Sequence, residues 1–196
     1  MTTYDGESKD NWMRGLVSMD RWNIKHMLAM LALFWPVESM LDIGCGDGIM
    51  LHTARKLGVE AFGVDQLVDD TWPDYFYHKN LVDYFELPKQ VDLVMSIEVA
   101  EHIHESAHAT LCDTLCNNLK EETNKFLIFS AARPGQNGTG HIACRPAMYW
   151  GEEFTRRGLV ANDMMTMNLA LLWNRIRSPL NYFYDNLMVF HKGGTE

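Results

Sequence analysis

From Ser39 onward, short apolar blocks recur between polar, glycine-bearing breaks. They are SMLDI (39–43), EAFGVD (60–65), YFYHKN (75–80), VDLVMS (91–96) and KFLIFSA (125–131). Blocks this short, bounded by turn residues, predict strands. Between and after them come segments with helical spacing: IMLHTARKL closed by Gly58, a long helix over about Glu101 to Leu119, AMYWGEEFTRRGL, and MTMNLALLWNRI. VAND predicts a short strand, and NLMVFHK an edge or antiparallel one. Alternation of strand and helix predicts an α/β fold with a mostly parallel central sheet flanked by helices and an antiparallel last strand.

Ahead of this core, residues 1 to about 16 read as a loose polar lead-in. A helix follows from about Met19 to Phe34, with Trp22, Met27, Leu28, Leu31 and Leu33 on its apolar side and Pro36 ending it. Its apolar run, Met27 to Trp35, is too short to span a bilayer and lacks the basic lead of a signal peptide, so a cytoplasmic protein is expected. The link between Asp65 and Tyr75 has nine residues, among them Asp69, Asp70 and Pro73. A full crossover helix barely fits, so one turn or an extended loop is expected. RPGQNGTGHIACRP, Arg133 to Pro146, must be a loop, placed beyond a strand's carboxyl end where open α/β sheets bind ligands.

The length, 196 residues, suits one domain: residues 1–36 as lead-in and helix, 37–131 as core, and 132–196 as loop, helices and last strand. The formal charge of −9 repels phosphate backbones and disfavours nucleic acid as a partner. Four cysteines, Cys45, Cys112, Cys116 and Cys144, form no CxxC pair and read as reduced thiols. Cys112 and Cys116 share a helix face as buried apolar-like groups rather than half a zinc site. Oligomeric state is not legible.

The glycine-rich turn LDIGCGDG, Leu41 to Gly48, adds chemistry to the pattern. A strand ends in an acid, three glycines allow a sharp turn and close ligand approach, and a helix then directs its amides at the ligand. Nineteen residues after Gly46, Asp65 ends the second strand, placed to hold ribose hydroxyls. The spacing is GxGxG rather than the GxGxxG of dinucleotide folds, and the GK[ST] of a phosphate loop is missing.

LDIGCGDG, then GVD, then DLVMSIEVAEHI resembles the class I S-adenosylmethionine-dependent methyltransferases, over nearly the whole chain from Ser39. The resemblance implies a Rossmann-like fold and an enzyme that binds S-adenosylmethionine. It implies that Asp42, Gly44, Cys45 and Gly46 surround the methionine part of the cofactor, that Asp65 holds the ribose hydroxyls with the adjoining Gln66 as a further cofactor contact, that Asn80 and Leu81 line the adenine side, and that Ile97 lines the adenine or methionine pocket. Asn80 stands where related sequences often carry an acid; its carbonyl can still accept the adenine amino hydrogen.

Methyl transfer to a hydroxyl or a protonated amine also needs a base or a metal to remove a proton. Glu98, Glu101 and His102 stand at i, i+3 and i+4, converging if the segment is helical, and His141 lies in the following loop. This set suits Mn²⁺, Zn²⁺ or Fe²⁺, with Mg²⁺ less fond of nitrogen. EVAEH with a downstream histidine is similar to metal-dependent small-RNA 2′-O-methyltransferases, and EVAEH alone also resembles ubiquinone-pathway O-methyltransferases. The loop SAARPGQNGTGHI and the later YW are closer to a group of bacterial and phage methyltransferases.

Against the metal stands a catalytic or substrate-contact role without one, or acids simply favoured by a helix dipole. His104 and His108 are expected on another face or in solvent. Trp173, Tyr182, Phe183 and Tyr184 read as packing or a lid, and Arg133 and Arg145 as surface groups or anion contacts. The expected function is methylation of O or N in a small molecule, with or without assistance from a metal. Methylation of an RNA ribose 2′-hydroxyl and a non-catalytic cofactor-binding module are the competing readings.

Overall fold

The computed structural model describes residues 33–34, 36–68, 71–175 and 185–193. The lead-in, most of the first expected helix, the pair Asp69 and Asp70, and Tyr182 to Tyr184 lie outside them.

Seven strands form one sheet: β1 (Ser39–Ile43), β2 (Glu60–Asp65), β3 (Phe76–His78), β4 (Leu93–Ile97), β5 (Phe126–Ser130), β6 (Leu159–Ala161) and β7 (Met188–Lys192). Their order is β3-β2-β1-β4-β5-β7-β6. The first five run parallel, and β7 pairs antiparallel with both β5 and β6. NLMVFHK is thus an inner antiparallel strand, and the edge falls to β6.

β1, β4 and β5 are covered on both faces, which is why their sequences are nearly continuous in apolar residues. Side chains alternate between two cores. Leu41, Ile43, Val94, Leu127 and Phe129 meet helices α2 (His108–Asn117) and α3 (Ala147–Thr155) through Leu111, Leu115, Trp150 and Phe154. Met40, Leu93, Met95, Phe126 and Ile128 meet α1 (Ile49–Lys56) and α4 (Asp163–Arg175) through Leu51, Ala54, Leu169 and Trp173. Cys112 and Cys116 are buried free thiols, as expected. Trp173 packs in the second core. No helix among the described residues is long and apolar enough to cross a membrane.

The long helix expected over Glu101–Leu119 does not form as such. Two single 3-10 turns, Ala100–His102 and Glu105–Ala107, precede α2, with Ile103 extended between them. The cause is tertiary. His108 is fully buried, and its Nε2–H lies 3.2 Å from the Ala100 carbonyl and 3.0 Å from that of Ile103, satisfying both without a helical ladder. His108 is therefore not in solvent, whereas His104 is exposed and caps the second turn through Nδ1. The short link after Asp65 shows turns and bends among its described residues, in keeping with its length.

Candidate active site

The carboxyl ends of β1, β2 and β4 converge on the glycine turn. Gly44 donates its N–H to the Val64 carbonyl at 2.8 Å, and Gly46 donates to Asp65 Oδ2 at 2.9 Å. Asp65 Oδ1 accepts from Leu67 N–H at 2.9 Å, so its carboxylate is clamped at the strand end. Gly44 has φ 83°, and a Cβ there would come within 2.4 Å of the Val99 side chain; only glycine fits. Asp42 is buried, and desolvation, reinforced by the Asp65 and Asp47 carboxylates, pushes its pKa up to about 7. A cation placed beside it would relieve that penalty. Burial likewise raises Asp65.

Gln66 is exposed beside Asp65, and Asn80 and Leu81 follow β3, whose His78 pairs in register with Asp65. Asn80 is exposed in a turn, with Oδ1 accepting Val82 N–H at 3.3 Å, and Leu81 packs against the first core. Ile97 ends β4, half-buried. All nine positions assigned to the cofactor by resemblance follow or end the parallel strands at their carboxyl side.

Beyond β4 the chain turns sharply at Glu98, which has φ 54°, the only positive value for a non-glycine among the described residues. Such a conformation costs about 1–3 kcal/mol and marks over-determined sites. Its N–H donates to the Ser130 carbonyl at 3.0 Å and Oγ at 3.1 Å, tying this turn to the end of β5.

Glu101, His102 and His141 come together: one ligand atom of each lies within 4.8 Å of the others. Glu101 is fully buried, and neither carboxylate oxygen accepts a hydrogen bond of good geometry. Both histidines are oriented by carbonyls, His102 Nδ1–H to Gly140 at 3.0 Å and His141 Nδ1–H to Gln136 at 3.2 Å. That leaves each Nε2 with its lone pair, the arrangement found at metal-ligating histidines. Burial lowers the pKa of His102, which keeps it neutral. His141 Nε2 faces Glu101 Oε1 at 3.9 Å, two acceptors that need a cation or a proton between them.

Glu98 arrives differently from the helical expectation. It lies on a left-handed turn rather than a helix face, and it falls outside the three-residue cluster. Its carboxylate adjoins that of Glu101 and accepts from Asn186 Nδ2 at 3.2 Å. Burial, then the Glu101 charge, push Glu98 up to about 7. Glu101 is raised too, chiefly by burial. None of these groups stands in the first turn of an α-helix, so the helix-dipole explanation of the acidic run does not apply.

The loop Arg133 to Pro146 folds over the turn: Ile142 and Ala143 donate their N–H groups to the Glu101 carbonyl at 2.9 and 3.1 Å. Gly138 makes room for the His141 ring; a Cβ there would sit 2.1 Å from Nε2. Arg145 is paired with Glu105 and lies over the Tyr149 ring, and Arg133 is exposed. Two residues that the sequence pattern did not single out, Asn186 and Gln136, complete the site. Neither carries a local signal, being an ordinary amide before a strand and another in a loop.

Residues 19–168 match the family described as a methyltransferase domain. With the sheet order and glycine turn above, the chain belongs to the class I S-adenosylmethionine-dependent methyltransferases. A probable tRNA (uracil-O(2)-)-methyltransferase of Caenorhabditis briggsae is 30% identical over 129 residues, 66% of this chain and 21% of that protein. The match thus spans about a fifth of the length of the curated relatives. An O-methyltransferase family protein of Burkholderia thailandensis superposes with a TM-score of 0.67 at 14% identity, over 98% of this chain and 62% of its own. A sugar N-methyltransferase of Streptoalloteichus gives 0.63 at 15%, over 99% and 96%. At these identities the two structures share the fold with this chain.

Proposed function

We propose that the protein is a metal-assisted O-methyltransferase acting on a hydroxyl of a small molecule. The observation that carries this is the buried carboxylate of Glu101, which accepts no hydrogen bond of good geometry and is faced by two histidines whose Nε2 lone pairs are left open. Glu101, His102 and His141 would hold the metal, with Glu98 beside them as a fourth donor or as a base. Two imidazoles with carboxylates fit Mn²⁺, Zn²⁺ or Fe²⁺ better than Mg²⁺. A bound divalent ion would lower the pKa of an acceptor hydroxyl.

Asp42, the backbone of Gly44, Cys45 and Gly46, and Asp65 with Gln66 would bind the amino-acid and ribose parts of S-adenosylmethionine, and Asn80, Leu81 and Ile97 its adenine. The cofactor supplies a methyl group on a sulfonium, displaced in line by the acceptor oxygen. The chain's contribution is alignment, since the glycine turn and the Glu98–His102 turn both stand at the carboxyl edge of the sheet, where adjacent β1 and β4 end. Glu98, whose carboxylate adjoins that of Glu101, stands where it could accept the hydroxyl proton.

Metal analysis and methyl turnover on a panel of hydroxyl acceptors test this. Chelation should abolish turnover and Mn²⁺ restore it, and Glu101→Gln, Glu98→Gln and His141→Ala should each lose at least about 100-fold while S-adenosylhomocysteine binding persists. Full turnover by metal-stripped protein, or by these variants, would overturn the reading.

The nematode relatives, named as probable tRNA (uracil-O(2)-)-methyltransferases, favour a second class of acceptor, an oxygen of an RNA nucleotide. The charge of −9 weighs against it. RNA methylation whose binding weakens steeply with salt would establish this second reading in place of the first.

A further inference from the structure

Asn186, the first residue of NLMVFHK, enters the site from outside the glycine turn and the EVAEH segment. It is almost wholly buried just ahead of β7, and its amide nitrogen reaches two sides. On one it donates to Glu98 Oε1 at 3.2 Å, with Oε2 at 3.4 Å; on the other it donates to Gln136 Oε1 at 2.9 Å. Gln136 continues the connection. Its backbone carbonyl accepts Nδ1–H of His141 at 3.2 Å, and its side-chain carbonyl also accepts Arg133 N–H at 3.3 Å.

The chemistry of these contacts calls for an amide. A carboxylate on one side and a side-chain carbonyl on the other are both acceptors, and an NH₂ group offers one proton to each. An aspartate at 186 would turn an acceptor toward both. The Glu98 backbone is held by Ser130 in its left-handed conformation, and the Ser130 hydroxyl also bears on the carboxylate; Asn186 is the group that ties that carboxylate to the Gln136 loop.

We propose that Asn186 is a positioning residue, the shared node that fixes the Glu98 carboxylate and, through Gln136, the loop that orients His141. The proposal rests on the metal-assisted reading for its consequence in turnover, but the hydrogen-bond node itself does not need the metal. Residues from the turn after β4, the loop after β5 and the lead into β7 are thereby locked in one geometry.

Asn186→Leu keeps roughly the volume and removes both donations. Titration calorimetry with Mn²⁺ alone should show its dissociation constant raised 10–100-fold, the usual effect of losing an orienting partner. Binding of S-adenosylhomocysteine should stay within about twofold, because the cofactor turn lies on other strands. Gln136→Met should weaken Mn²⁺ in the same direction, and the double variant should be little worse than Asn186→Leu, since the two changes break one connection.

In metal-free protein labelled with ¹⁵N-histidine, the ring signals of His141 should move from one tautomer to a mixture while those of His102, held by Gly140, stay put. A folded Asn186→Leu protein with unchanged Mn²⁺ affinity and unchanged His141 signals would overturn the proposal. If Asn186→Leu does not fold, Asn186→Asp, which keeps the shape and exchanges a donor for an acceptor, carries the same His141 readout. If wild type binds no Mn²⁺, the metal reading falls, and the His141 signals alone decide whether Asn186 positions the loop.

Discussion

Glu101 and Glu98 place two carboxylates side by side in a buried turn, and their protonation is therefore set by each other and by burial. Glu98 rises from 4.5 to about 7 and Glu101 rises as well. In the metal-free protein the folded state thus holds more protons than the unfolded chain between these values. Stability falls as pH rises through the window and is regained as pH falls through the folded pKa. Thermal unfolding across pH 4.5 to 7 should show this decline, and Glu101→Gln should reduce it; the burial of Glu98, which the variant keeps, and Asp42, also raised to about 7, leave a residual slope. An unchanged slope in the variant would clear the pair of this role.

Gly138 offers a second test among single residues. Gly138→Ala puts a methyl group where the His141 ring lies and should cost on the order of 100-fold in turnover, as misplacement by about 1 Å does. The melting temperature should hardly change, because the loop around Gly138 is exposed.

Among the elements, the amino ends of three strands are joined by one buried acid. Asp92, just ahead of β4, accepts Glu38 N–H at 2.7 Å and Ser39 N–H at 3.0 Å, and pairs with Lys120 at 2.7 Å and Lys125 at 3.0 Å. Burial alone would raise its pKa, but the two lysines and two backbone donors hold it well below the usual carboxylate range. Its stabilisation is present above the unfolded pKa and is lost as pH falls through the folded one. Asp92→Asn should cost about 3 kcal/mol, the lower end for a broken buried pair since both lysines reach solvent, and a shifted denaturant midpoint at unchanged slope would record it.

The same scale shows what was legible. The strands were, because the inner ones, β1, β4 and β5, are short, nearly continuous apolar runs that end at a polar or glycine break. The segment after β4 was not. Its spacing of Glu98, Glu101 and His102 fits a helix, yet the buried His108 ring and the Ser130 hydroxyl, both distant in sequence or hidden by the fold, satisfy its backbone in another shape. Three of the residues so spaced or placed, Glu101, His102 and His141, come together through a geometry other than the helical one.

At the scale of the whole molecule, β1 and β4 lie side by side while the chain departs from them to opposite halves of the sheet, and ligands bind open α/β sheets at such a switch point. The glycine turn and the Glu101 cluster stand on its two sides. S-adenosylhomocysteine at about 100 times its dissociation constant should stabilise the protein by about 2.7 kcal/mol, visible as a rise in melting temperature. Asp65→Ala should remove that rise, and retention of it would detach Asp65 from the cofactor.

By itself the sequence determined the parallel core and the glycine turn, and it singled out Glu98, Glu101, His102 and His141 as candidates, because strand periodicity, glycine spacing and acid placement are local properties. Only the tertiary structure decided that Glu98 turns left-handed, that His108 is structural, and that the return of β7 against β5 brings Asn186 between Glu98 and Gln136. Those outcomes depend on groups that meet across the chain, where a buried donor or acceptor takes whichever partner the packing supplies.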